Sequence, residues 1–156
     1  MDLELKNQEN IYISNTKDKG KTYFAKKDFK KGEIVMYLCG PIVFEPSDYT
    51  CPIGFGVFID PTDLGGMYLN DYGVNANLGI KQRTELVAIR DIKKDEEIGI
   101  AYFMFVPRYI INSTAYKLNL STFSNLSKEN KEKFREYTSD YLFNDNEVKM
   151  YEKFFK

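Results

Sequence analysis

The residue types that this chain lacks restrict its chemistry more than those that it contains. Its 156 residues include no histidine and only two cysteines, Cys39 and Cys51. The usual four-ligand zinc site and a histidine-based catalytic triad are therefore both excluded. Any reaction must use tyrosine, lysine, carboxylate or amide side chains, or a bound cofactor. The two cysteines can form a disulfide or stay reduced, and a cell interior favours the reduced pair.

One polar segment stands out between stretches of apolar, strand-like sequence. It runs from Met67 to Asn77 and reads Met-Tyr-Leu-Asn-Asp-Tyr-Gly-Val-Asn-Ala-Asn. Amide groups that enter a core must be satisfied by the backbone or by a ligand. A surface turn is the simpler interpretation, because Asn, Asp and Gly are ordinary turn residues. The segment alone does not distinguish a turn from a binding loop.

The elements that must hold this loop are short strands. Strand-like runs separated by turn residues are predicted at 11–14, 22–26, 33–39, 42–44, 55–59, 78–81, 85–89 and 98–103. Residues 47–52 are expected to form a loop, and 82–84 to connect a hairpin. Almost no helix is expected before Phe105. The pattern therefore predicts a core that is mainly β.

The sequence changes character after Pro107. Ser127 is a candidate helix cap, and a second helix is predicted to begin after Asn144. Aromatic residues recur at helical spacing, at Phe134, Tyr137 and Tyr141. We interpret them as a packing surface. The chain is thus expected to comprise a β-rich domain, residues 1–106, and a C-terminal helical extension, residues 107–156, packed on it.

Charge and hydropathy limit the partners. Lysine and arginine total 22 and aspartate and glutamate 23, a formal net charge of -1. Broad nucleic-acid binding needs a basic excess, so the balance gives no strong signal for it. No apolar run is long enough to span a bilayer, and residues 1–10 are too polar for a signal peptide. The expectation is an intracellular protein, cytoplasmic or nuclear, without a membrane partner; its oligomeric state is open.

Two segments of the chain resemble each other. Ala25-Lys-Lys-Asp-Phe-Lys-Lys-Gly-Glu-Ile is similar to Ala88-Ile-Arg-Asp-Ile-Lys-Lys-Asp-Glu-Glu-Ile. Each reads as a strand, a charged turn and a second strand, with an apolar residue in the turn. Two copies do not make a solenoid, so two similar turns are the simplest interpretation.

Taken in order, these segments resemble the SET domain of protein-lysine methyltransferases. The family's Gly-x-Gly-[Leu/Val]-[Phe/Tyr]-Ala stretch corresponds to Gly20-Lys-Thr-Tyr-Phe-Ala, which precedes a Gly-Glu turn at Gly32. The Arg-Phe-x-Asn-His-Ser-Cys-x-Pro-Asn loop corresponds to the segment that begins at Met67. The closing Glu-Glu-Leu-x-[Tyr/Phe]-x-Tyr strand corresponds to Glu96-Glu-Ile-Gly-Ile-Ala-Tyr. The resemblance covers about residues 11–105. It implies a β-clip-like SET fold with a pseudoknot, plus C-terminal α-helices.

The chain departs from the family pattern at several positions. Thr22 stands in place of the second glycine, and Asp71 stands in place of the loop histidine. Asn75 and Asn77 remain alternatives for the second asparagine of the loop. No cysteine cluster follows the core, so the zinc-binding segment found after many SET domains is missing.

The resemblance implies S-adenosylmethionine as the cofactor and a lysine of a protein or peptide as the substrate. Tyr102 is then the catalytic residue, whose hydroxyl orients the amine. The implied cofactor-binding residues are Lys21, Thr22, Tyr23, Asn70 and Asp71. The implied substrate channel is formed by Tyr37, Tyr68, Ile100, Phe103 and Phe105. Because an aromatic residue is common at the Ile100 position, the smaller side chain implies room for more than one methyl group. No metal is implied.

Three functions remain open. The leading one is an S-adenosylmethionine-dependent protein-lysine N-methyltransferase. The second is a catalytically inactive SET-fold protein that acts as a peptide- or protein-binding module, which the substituted loop favours. The third is an unrelated β-rich interaction domain whose aromatic residues form its core. A sheet in which the Asn70 loop is not threaded past the Tyr102 strand would support the third.

Overall fold

The protein is mainly β, as the sequence predicts. The computed structural model describes residues 2–18, 20–45, 47, 50–54, 56–61, 68–105 and 126–139. Its strands are β1 (Ile11–Asn15), β2 (Lys21–Ala25), β3 (Ile34–Tyr37), β4 (Ile42–Val43), β5 (Cys51–Gly54), β6 (Val57–Ile59), β7 (Leu78–Lys81), β8 (Glu85–Ala88) and β9 (Glu97–Ile98). The helices are α1 (Leu3–Asn10) and α2 (Lys128–Phe134), with 3₁₀ turns at Gly73–Asn75, Tyr102–Met104 and Arg135–Tyr137.

The strands form three antiparallel, three-stranded sheets in the described part of the chain. Their strand orders are β1-β2-β9, β3-β8-β7 and β4-β6-β5. The β7–β8 hairpin pairs Leu78 with Ala88 and Lys81 with Glu85, as predicted. Both strands consist largely of buried apolar residues, so they form the centre of the core. The first sheet and loop 68–77 contribute buried residues to the same core.

The two similar segments form a pair of turns that hold each other. Phe29 and Ile92 form an antiparallel bridge, with N–H···O distances of 2.8 and 2.9 Å. Asp28 and Asp91 each accept a backbone N–H from the opposite turn, at 2.8 and 2.9 Å. The hydrogen bond that the Lys31 amide donates to Asp91 is the main reason that the pKa of the Asp91 carboxyl is lowered. The internal similarity thus produces an approximate two-fold arrangement, which fixes β2 and β3 relative to β8 and β9.

Helix α1 was not predicted. Its first turn is capped by the Asp2 side chain, which accepts from the Glu4 and Leu5 amides at 3.1 and 3.2 Å. Its one buried residue is Asn7, and the helix has no apolar stripe. The Asn7 side chain instead donates to the Tyr37 carbonyl at 2.8 Å and accepts from the Tyr37 amide at 2.7 Å. The helix therefore covers the edge of β3 through polar contacts.

Two strand predictions were wrong in extent. Residues 47–52 were expected to be loop, but β5 begins at Cys51 and pairs with β6. The last strand was expected at 98–103, but β9 ends at Ile98 and Tyr102 begins a 3₁₀ turn. The backbone near Ile100 pairs with Asp71 in a single parallel bridge, which ends the regular ladder. The predicted edge position of 42–44 is confirmed, since β4 is an outer strand of its sheet.

The described part of the C-terminal extension packs on the core. The predicted cap is confirmed, because the Ser127 hydroxyl accepts from the Asn130 amide at 3.2 Å at the start of α2. The Phe134 ring meets the Phe103 ring edge to face, at 5.1 Å between centroids. Tyr141 and the helix predicted after Asn144 lie outside the described residues. No helix among the described ranges has the length and apolar character required to cross a membrane.

Candidate functional site

The asparagine-rich loop lies beside the segment that leads to Tyr102. Asp71 and Ile100 form a parallel bridge. The Tyr72 amide donates to the Ile100 carbonyl at 2.9 Å, and the Ile100 amide donates to the Asn70 carbonyl at 3.3 Å. The absence of this contact would have supported an unrelated β-rich domain.

Asn77, at the end of the loop, binds the backbone of the same segment near β9. Its side-chain oxygen accepts from the Gly99 amide at 3.0 Å, and its side-chain nitrogen donates to the Glu97 carbonyl at 2.9 Å. Asn77 is 3% exposed, whereas Asn75 is exposed to solvent. Of the two asparagines left as alternatives, Asn77 is therefore the one that is built into the site.

Gly99 allows the loop to approach this closely. A Cβ atom at Gly99 would lie 1.6 Å from Cδ2 of the Tyr72 ring, far closer than two non-bonded carbon atoms can come. The ring of Tyr72 therefore lies directly against the backbone of Gly99. Only glycine leaves the space for this contact.

The beginning of β2 contacts the other side of the loop. Asn70 donates its side-chain N–H to the Lys21 carbonyl at 3.2 Å, and the Thr22 hydroxyl donates to the Tyr68 carbonyl at 3.4 Å. Thr22 is completely buried, so its side chain does not occupy the surface of the site. The Tyr23 and Tyr68 rings meet at 6.2 Å, and the Lys21 ammonium lies 5.9 Å from the Tyr68 ring. The five residues predicted to bind a cofactor and Tyr68 thus lie together.

Tyr102 is held at both ends. Its backbone N–H donates to the Asp71 carboxylate at 2.8 Å, and its hydroxyl donates to the Leu69 carbonyl at 2.9 Å. Its ring lies 5.6 Å from that of Phe105. Burial raises the pKa of Tyr102 to about 12, with smaller contributions from Asp71 and Cys51. The phenol is therefore neutral at physiological pH.

The predicted channel residues do not all share this environment. The contacts described for Tyr37 are with α1 and β8, including the Lys6 ammonium 5.9 Å from its ring. Phe103 is 3% exposed and faces Phe134 in the core. Ile100 is completely buried beside Asp71. Phe105 and Tyr68 lie beside the site, and the channel roles of all five residues stay predictions.

Sequence reasoning missed two groups near Tyr102. The Leu69 carbonyl leaves no trace in the sequence, because every residue has one. Cys51 was assigned to a loop, yet it is 8% exposed and influences the pKa of Tyr102. Burial raises the pKa of the Cys51 thiol to about 12, so it remains protonated. In the described part of the chain, no three acidic or cysteine side chains come close enough together to hold a metal ion.

Comparison with known proteins decides the fold. No family model and no curated protein matches the sequence. KRYPTONITE in complex with mCHG DNA and SAH superimposes with a TM-score of 0.52 and 18% identity, over 60% of this chain and 23% of that chain. An active polycomb repressive complex 2 in the basal state gives a TM-score of 0.51 and 21% identity, over 59% and 15%. The fold is that of a SET domain.

A third solved structure agrees with this SET fold. The complex ctPRC2 with H3K27me3 and H3K27M has a TM-score of 0.50 and 20% identity, over 59% of this chain and 14% of that chain. The chain spans less than a quarter of the length of each of these three solved chains. Within the SET fold, loop 68–77, segment 99–102 and the start of β2 meet at one place. The SET fold predicted from the order of weak motifs is therefore confirmed.

Proposed function

We propose that this protein is an S-adenosylmethionine-dependent protein-lysine N-methyltransferase. The observation that carries the proposal is the Tyr102 phenol, which donates its proton to the Leu69 carbonyl at 2.9 Å. A phenol whose proton is engaged in this way offers only its oxygen lone pairs to other groups. Those lone pairs can accept a hydrogen bond from the N–H of a lysine side chain. Such a bond orients the nitrogen for reaction.

The protonation state of Tyr102 defines its role. With a pKa raised to about 12, chiefly by burial, the phenol stays neutral over the physiological range. It therefore acts as a hydrogen-bond acceptor and not as a general base. A free lysine has a pKa near 10.4 and must lose a proton before its nitrogen can attack. Desolvation against the rings of Tyr68 and Phe105 would lower that pKa, and the proton would leave to water.

The residues around the loop fit the proposed cofactor. S-adenosylmethionine, when bound, supplies an electrophilic methyl group on a sulfonium sulfur. The positive charge of Lys21 suits the carboxylate of the cofactor. The side-chain oxygen of Asn70 remains an acceptor for the ammonium group of the cofactor. The rings of Tyr23 and Tyr68 provide apolar surface beside these two groups. The KRYPTONITE structure, which has the same fold, is a complex with SAH, and this also supports the choice of cofactor.

An inactive SET-fold module that binds a peptide or partner protein is the second candidate. The substituted residues Asp71, Tyr72 and Gly73, where the family has His-Ser-Cys, favour it. Such a module need not bind S-adenosylmethionine. The two candidates therefore differ in the cofactor affinity and in the methyl transfer that can be measured.

The test is the substitution Tyr102→Phe, which removes only the hydroxyl. We expect turnover to fall by at least about 100-fold, because the acceptor that orients the amine is lost. Cofactor affinity, measured by calorimetry, should stay within about twofold of the wild-type value. Turnover is measured with labelled cofactor and protein mixtures, followed by mass spectrometry of the product.

Tyr12→Phe is a matched control for this substitution. The Tyr12 hydroxyl also makes one hydrogen bond, to Asp95 at 2.9 Å, but on the outer strand of the first sheet. It should leave turnover unchanged. Full activity of Tyr102→Phe would contradict the role of this residue. Cofactor binding without transfer to any protein would support the inactive module, and the absence of cofactor binding would exclude the enzyme.

A further inference from the structure

We infer that Asp71 is a positioning residue for Tyr102. This inference rests on the proposed function. Asp71 stands where the resemblance places a histidine, so its role must come from its contacts in this chain. Its carboxylate joins the loop to the residue that carries the phenol. Through this contact, Asp71 determines where the phenol oxygen points.

The contact satisfies a backbone group that has no partner within its own turn. Tyr102 is the first residue of a 3₁₀ turn, and the preceding residue, Ala101, has no side chain that can cap it. The Asp71 carboxylate oxygen accepts the Tyr102 N–H at 2.8 Å from outside the turn. The same oxygen lies 3.4 Å from the Gly73 amide. A carboxylate acceptor makes a stronger bond to an amide than a neutral group does.

Both ends of Tyr102 are attached to the same short segment of the loop. The backbone is bonded to Asp71, and the hydroxyl is bonded to the Leu69 carbonyl at 2.9 Å, two residues earlier. This segment is in turn paired with Ile100. If the Asp71 acceptor is lost, the turn is free to shift while the hydroxyl remains tethered. A shift of about 1 Å in a reacting group can reduce the rate by roughly 100-fold.

Two substitutions of Asp71 separate the effect of its hydrogen-bond acceptor from the effect of its negative charge. Asp71→Asn keeps a side-chain oxygen that can accept the Tyr102 N–H, and Asp71→Ala removes it. We expect Asp71→Ala to lower kcat by roughly 10- to 100-fold, with cofactor affinity within about twofold of wild type. Asp71→Asn should retain kcat to within about threefold. A purely structural role would lower cofactor affinity and stability together with kcat.

A double-mutant cycle tests whether Asp71 acts through Tyr102. In the Tyr102→Phe background, Asp71→Ala should cause no further loss of kcat, because the hydroxyl that it positions is already absent. Asp28→Ala is the matched control. Asp28 accepts the Lys94 amide at the same distance, 2.8 Å, in the pair of turns away from the site. Its loss should lower the melting temperature and leave kcat unchanged.

A spectroscopic readout separates this inference from the proposed function. Tyrosines labelled at the ring carbon that bears the hydroxyl give NMR signals, and Tyr102→Phe identifies the one from Tyr102. Asp71→Ala should shift that signal, and Asp71→Asn should preserve it. If these shifts occur and the wild-type protein transfers no methyl group, the proposed function fails and the positioning role stands.

Three results would overturn the inference. The first is an unchanged Tyr102 signal and an unchanged kcat in Asp71→Ala. The second is a loss of kcat in the Tyr102→Phe background that equals the loss in the wild-type background. The third is a loss of cofactor affinity that accounts for the whole effect, because the side chain would then bind the cofactor directly.

Discussion

The contact between Tyr72 and Gly99 sets how closely the loop can approach the segment before Tyr102. Gly99→Ala would place a Cβ atom 1.6 Å from the Tyr72 ring, so the ring must move. Because the Tyr72 amide is bonded to Ile100, the loop would move with it. We expect a loss of stability of roughly 1–3 kcal/mol and weaker cofactor binding. Chemical denaturation and calorimetry measure the two effects.

A second substitution identifies the cause. Tyr72→Ala in the Gly99→Ala background removes the ring that the new methyl group meets. The double variant should be more stable than Gly99→Ala alone. If Gly99→Ala by itself is as stable as the wild-type protein, the close contact does not determine the position of the loop.

At the scale of residues, the sequence predicts some of the site and not the rest. Asn70 and Tyr102 are distinctive side chains in motifs of the right order, and both lie at the site. The Leu69 carbonyl and the space above Gly99 have no sequence signal. Both depend on how two segments approach each other in three dimensions. The buried position of Thr22 likewise follows from its bond to the Tyr68 carbonyl, which the glycine pattern does not predict.

Among the elements, α1 depends on one buried polar residue. Asn7→Ala would leave the Tyr37 N–H without its side-chain partner, and the Tyr37 carbonyl with only the weaker donor of the Cys39 thiol. We expect a loss of roughly 1–3 kcal/mol in the free energy of unfolding, the usual cost of an unsatisfied buried polar group. Denaturation by urea measures it.

Gln8→Ala serves as the control for this substitution. Gln8 is the next residue of the same helix and is exposed, and alanine favours helix formation. Its replacement should change the free energy of unfolding by less than about 0.5 kcal/mol. Equal losses for the two variants would mean that the Asn7 contacts are not what holds α1 on the core.

One physical reason explains why α2 was predicted from the sequence and α1 was not. Helix α2 follows a Ser cap and carries Phe134 on its buried side, so the usual signals predict it. Helix α1 buries an amide instead of an apolar stripe, and hydrophobic periodicity cannot detect it. Strand β5 was missed for a related reason, because it contains Pro52 and borders a region rich in turn residues.

For the molecule as a whole, the described part of the C-terminal extension is expected to unfold together with the core. Phe134 is completely buried against Phe103, which neighbours Tyr102. Phe134→Ala should lower the free energy of unfolding by about 3–5 kcal/mol. Circular dichroism and tyrosine fluorescence should report the same single unfolding transition, in the wild-type protein and in Phe134→Ala alike.

A matched substitution in the sheet supports the comparison. Leu86→Ala, at a completely buried position in β8, should shift the same transition in the same direction. Two separate transitions, with Phe134→Ala affecting only one, would mean that the extension is an independent unit.

The fold of the core was predictable because several short motifs occur in the right order. The division of the strands into three sheets was not, since it depends on pairings between distant segments.

The paired turns also bear on when the protein can fold during synthesis. The bond between the Lys31 amide and Asp91 joins residues 60 positions apart, and the loop from Tyr68 to Asn77 lies between them. A ribosome-bound chain that ends before residue 91 cannot close this connection. It also lacks segment 99–102, against which the loop packs in the folded protein. Long-range closure of this kind is slow, so the site forms late, when nearly all of the core has been translated.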